Sequence, residues 1–141
     1  MDREIIRGSR KALLSRSKHQ LNGSGNHAKW LSQPIEEATF DSADYGNFTK
    51  SNGDVSWISD GNLWGFQLIS NSIQTVGTKH QQFGFFPATR NPTDHWHGYP
   101  IIPFSEKNKK YNISKELLER WVLDGYLSNE DIAIIIKGKI L

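Results

Sequence analysis

The alternation of apolar and polar positions is clearest between residues 55 and 86. Val55-Ser56-Trp57-Ile58-Ser59 is followed by Asp60-Gly61-Asn62 and then by Leu63-Trp64-Gly65-Phe66-Gln67-Leu68-Ile69. Two β-prone runs around a three-residue, glycine-containing connection predict a hairpin with a bulge. A period of two places Trp64, Phe66 and Leu68 on one face. Ser70-Asn71 turns the chain into Ile73-Gln74-Thr75-Val76, and a fourth run, Phe83-Gly84-Phe85-Phe86, stops at Pro87. The prediction is an antiparallel meander of about four strands with one apolar face that another layer must cover.

The cover is expected from a C-terminal pair of helices. Ser114 caps the first, with Ile113 and Leu118 placed to staple across its opening turn. Leu117, Leu118, Trp121 and Val122 form its apolar stripe, and Gly125 ends it. Ser128 caps the second, Asp131 stands at its third helical position, Ile132, Ile135 and Ile136 give the buried face, and Gly138 ends it. Two helices joined by a short turn resemble a DNA-reading motif. Asn129, Glu130 and Asp131 would then open the recognition helix, and two carboxylates there repel phosphates, so the pair is read as a packing device.

Upstream the pattern is weaker. Ile5, Ile6, Leu13, Leu14 and Leu21 fall within half a helical wheel, but Arg10 and Arg16 intrude on it. Asn22-Gly23-Ser24-Gly25-Asn26 reads as a flexible joint. Residues 1–26 are therefore expected to be a loose basic arm with its joint, and residues 27–141 one α+β domain. Between residues 27 and 53, Trp30, Leu31, Ile35 and Phe40 are isolated anchors around a short helix near residues 34–38.

Composition sharpens this picture by exclusion. The chain has 141 residues, 36% of them hydrophobic and 23% charged, which suits one folded domain and neither a disordered polyelectrolyte nor a membrane protein. The longest aliphatic run, Ile132-Ala133-Ile134-Ile135-Ile136, is far short of a membrane span, and no signal peptide is read at the start. Without cysteine there is no disulfide, thiolate nucleophile or Cys-ligated zinc, which fits the expectation of a cytoplasmic protein. The net charge is only +2, yet residues 1–20 carry six basic side chains against Asp2 and Glu4. That basic segment suits phosphates, or the acidic stretch at residues 36–60.

Candidate chemistry concentrates in residues 87–103. Pro87, Pro92, Pro100 and Pro103 stiffen this segment, and rigid loops on a scaffold are where reactive groups tend to sit. If the chain is extended here, His95, His97 and Tyr99 point one way and Asp94 and Trp96 the other. The two imidazoles have three readings. They are an acid/base pair, with Arg90, Lys79 and His80 supplying positive charge for a phosphate. Or they are half of a metal site completed by His80, Asp54 or Asp94. Or they cap loop carbonyls while Trp96 plugs the core. Nucleotide-binding glycine loops and a nucleophile elbow are missing from the sequence. Trp57, Trp64, Phe66, Phe83 and Phe85 can stack bases or fill a core, and the helices' need for a surface favours the core.

The resulting expectation is a small phosphodiester-cleaving domain acting on RNA or a nucleotide without a metal or other cofactor, a nuclease of the toxin type. His95 and His97 are its acid and base, Tyr99 positions or donates, and Arg90, Lys79 and His80 hold phosphate. A non-catalytic module that binds protein or nucleic acid is the alternative, and a metal-dependent hydrolase stands third. A protein partner, as inhibitor or complex subunit, fits either of the first two.

Overall fold

A computed structural model describes residues 2–7, 10–46, 56–91, 93–105 and 109–141. Val55, Asp54 and Pro92, to which the sequence assigns roles, lie outside the described residues. The architecture is α+β, with a central antiparallel sheet packed by the expected C-terminal helix pair.

Three strands of that sheet come from the aromatic-rich region and one from beyond it. We number the strands β1 (Arg3–Arg7), β2 (Arg10–Ser15), β3 (Ile58–Ser59), β4 (Asn62–Gly65), β5 (Leu68–Ile69), β6 (Ser72–Ile73), β7 (Phe83–Phe86) and β8 (Tyr99–Ile101). The central order is β3-β4-β7-β8. The β3–β4 turn is tighter than predicted: Ser59 pairs with Asn62, leaving only Asp60 and Gly61, both at positive φ, in the loop. The run Ile73-Gln74-Thr75-Val76 does not enter this sheet. Ser70 and Asn71, also at positive φ, fold β5 and β6 into a separate small hairpin, and β4 pairs directly with β7. The fourth strand, β8, comes from the proline-rich segment, and Pro100 is tolerated because β8 is an edge strand.

Alternation along β4 and β7 feeds two cores. Trp64, Phe66, Phe83 and Phe85 meet α2 (Lys115–Leu123) and α3 (Asn129–Ile135) through Leu117, Leu118, Trp121 and Ile135. With Trp57 also fully buried, none of these meander aromatics is presented for base stacking. Ile136, expected on the buried face of α3, is 51% exposed. It rims an open apolar groove of about 620 Å³ between the two helices, with Phe104, Leu118, Val122 and Ile132.

Leu63 and Phe86 face the other way and pack on Trp30, Phe40, Ala43 and Leu13. The sheet is thus covered on both faces, not one. The second cover is α1 (Gln33–Tyr45), much longer than the short helix predicted near residues 34–38. The Ser32 side chain accepts from the Ile35 amide at 3.2 Å, Pro34 occupies the first turn, and Gly46 ends the helix at φ 75°. Close packing of α1 on the sheet needs Gly65, where a Cβ would press into Thr39 and Ser42.

The expected loose arm is corrected. Arg3–Arg7 and Arg10–Ser15 pair as antiparallel strands, Leu13 is completely buried, and the Leu14 amide donates to the Trp96 carbonyl at 2.7 Å. The residues of the expected flexible joint are tied as well, because the Lys29 ammonium donates to the carbonyls of Lys18, Gly23 and Ser24 at 2.6, 3.0 and 3.2 Å. No helix among the described residues is long and apolar enough to cross a membrane.

Candidate active site

Docking of the hairpin builds the site. Residues 95–97 lie alongside β2, with Trp96 bridged in parallel to Leu13; its amide donates to the Ala12 carbonyl at 2.9 Å. Trp96 packs toward the core beside Leu13 and Ile5. Alternation then puts His95 and His97 on the opposite face. Gly98 permits close approach to β7, since a Cβ there would collide with the Phe85 carbonyl and the Phe86 ring.

That outer face carries charge from both hairpin strands. The His95 Nε2 is hydrogen-bonded to the Glu4 carboxylate across β2. A carboxylate can only accept, so Nε2 is the donor in this contact. His97 is half-buried near Arg16 and Lys18, and burial, then those two positive charges, lower its pKa below the ordinary 6.5. Arg16 is held by Asp2 at 3.1 Å, and the Asp2 carboxylate also accepts from the Ser17 amide at 2.6 Å. His95 is thus tied to Glu4, while the positive charges of Arg16 and Lys18 act on His97. Cavities of about 620 and 260 Å³ lie elsewhere, and no histidine lines them.

The other sequence candidates are placed differently. Tyr99 starts β8, and its hydroxyl is hydrogen-bonded to that of Tyr111 at 2.9 Å. Burial and that hydrogen bond push its pKa above the ordinary 10. The Tyr99 ring also packs edge-on against Phe85. Arg90 is exposed in the loop after β7, and Lys79 and His80 are exposed on the turn before it. Among the described residues, no hydrogen bond or ion pair joins these three to His95 or His97. For the metal reading, the described residues contain no group of three His, Asp or Glu side chains able to hold an ion. Asp94 instead accepts from the Asn91 amide at 3.1 Å within its own turn.

Two histidines were not anticipated. His19 ends the 3-10 turn Ser17–His19 and stacks on Tyr99, with ring centroids 5.2 Å apart, while His27 meets its edge at 5.7 Å. The His19 Nδ1 donates to the Ala28 carbonyl at 2.7 Å, which fixes the tautomer. Burial lowers the His19 pKa, partly offset by that hydrogen bond and reinforced by Lys18, His27 and Lys29. His19 stands in the basic segment just before the Gly/Ser/Asn joint, where nothing local marks it; only the fold brings it against Tyr99. No family model, curated protein or solved structure matches this chain.

Proposed function

We propose that this face cleaves phosphodiesters of RNA or a nucleotide by general acid/base catalysis without a metal. What supports the reading is the His95–Glu4 hydrogen bond, two residues from a half-buried His97 that the charges of Arg16 and Lys18 act on. His97 rests neutral because burial and cations disfavour its charged form, which suits a base. His95 is the acid: when doubly protonated it forms an ion pair with Glu4, which also orients the ring.

His97 takes the proton of a ribose 2′-hydroxyl as that oxygen bonds to phosphorus. The bond from phosphorus to the 5′-oxygen breaks, and the leaving oxygen takes the proton of His95. A 2′,3′-cyclic phosphate and a free 5′-hydroxyl result. Arg16 and Lys18 neutralise the non-bridging oxygens as charge builds on them. These two replace Arg90, Lys79 and His80 as the phosphate-binding set.

Purified protein is expected to cleave RNA in the presence of EDTA. His95→Ala and His97→Ala should each abolish cleavage while leaving stability within about 1 kcal/mol of wild type, as for partly exposed side chains. Salt-sensitive RNA binding by the wild type with no cleavage at all would reject the enzyme in favour of a nucleic-acid-binding module.

A further inference from the structure

Glu36 is the one acidic side chain in the described core with no solvent exposure. It lies in the first turn of α1, and its Oε1 accepts from Ser15 Oγ at 2.7 Å and from Gln20 Nε2 at 3.0 Å. Ser15 ends β2, and Gln20 follows the 3-10 turn. These two donors bracket Arg16, Ser17, Lys18 and His19, the stretch that carries both phosphate-binding cations and the histidine stacked on Tyr99. Gln20 closes the bracket further, donating to Ser15 Oγ at 3.0 Å and more weakly to the Arg16 carbonyl at 3.4 Å.

A carboxylate removed from water is costly unless it is paired and hydrogen-bonded. Here Oε1 takes both hydrogen bonds, and the second oxygen, Oε2, has no hydrogen-bond partner among the described residues. Burial raises its pKa, against the pull of Ser15, Gln20 and the Arg3 charge, with Glu37 adding a smaller upward push. Arg3 itself pairs with Glu37 at 3.6 Å.

We infer that Glu36 is a positioning residue, which clamps both ends of the 16–19 turn through Ser15 and Gln20 and so sets Arg16 and Lys18 beside His97. This rests on the reading of that face as a phosphodiester site, but part of its test does not depend on cleavage. The lone pairs of one oxygen do the clamping, so an amide oxygen in the same place should serve nearly as well.

The experiment follows the His97 ring by NMR through a pH titration, alongside RNA cleavage kinetics, in wild type, Glu36→Gln, Glu36→Leu and Gln20→Ala. Glu36→Gln should keep the wild-type His97 midpoint and KM. Glu36→Leu and Gln20→Ala should move that midpoint up toward 6.5, as the half-buried ring gains solvent and the turn's cations drift away. KM should rise roughly tenfold with a smaller change in kcat, the size expected for one displaced charge-assisted phosphate contact. Should Glu36→Leu not fold, Gln20→Ala carries the same test. An unmoved His97 midpoint in Gln20→Ala overturns the clamp, as does a Glu36→Gln variant that behaves like Glu36→Leu. A wild type that fails to cleave RNA while the midpoints shift as expected sinks the enzyme reading and leaves the clamp standing.

Discussion

His95 and His97 are two residues apart, yet they have different neighbours. His95 reaches across β2 to a carboxylate, and His97 is half-buried and feels the charges of Arg16 and Lys18. Burial leaves both His97 and His19 less basic in the folded chain than in the unfolded one. The unfolded chain therefore binds more protons as pH falls through 6.5, and stability declines on the acid side until the lowered native values are passed. Glu36 acts in the opposite sense, since its raised pKa adds stability that is complete below 4.5 and lost as pH rises through the native value. Comparison of variants separates the two. The fall in Tm between about pH 7.5 and 5.5 should be smaller in His97→Asn than in wild type. Equal falls would show that this ring has no linkage to folding. The His-x-His pair could be read from sequence because alternation in an extended segment requires no tertiary knowledge. His19 could not, because its partner Tyr99 lies eighty residues away.

Elements were legible where their ends carry chemistry. At α3, Ser128 accepts from the Asp131 amide at 3.1 Å while Asp131 accepts from the Ser128 amide at 2.9 Å, a reciprocal capping box. Ser128→Ala should cost about 1 kcal/mol, read as a lower urea midpoint at unchanged slope. A neutral result would mean that the packing of Ile135 alone holds the helix. The extent of α1 escaped notice because its buried stripe mixes Glu36, Thr39 and Ser42 with Phe40 and Ala43, so hydrophobicity does not trace the period. Strand β8 escaped for a different reason. Pro100 argues against a strand until the edge position is known, and sheet order is a property of the whole fold.

At the scale of the molecule, the N-terminal segment decides whether site and scaffold are one unit. Its composition resembles an electrostatic tether: Ile5-Ile6 and Leu13-Leu14 are adjacent pairs that fit neither a clean helical nor a clean strand period, and arginines separate them. What settles its place is long-range. Leu13 fills the core beneath Phe86 and Trp30, and the backbone on either side of it is hydrogen-bonded to Trp96. A detached arm would make Leu13→Ala almost silent. An integral hairpin makes it a core truncation costing about 2–5 kcal/mol. It should also remove the support on which residues 95–97 lie, so that RNA cleavage falls with stability rather than independently of it. Thermal melts followed by tryptophan fluorescence and by far-UV circular dichroism should then coincide at a single lowered midpoint. Two separated transitions, the first sparing the tryptophan core, would show that the hairpin melts alone and that the acid/base face is an appendage of the sheet.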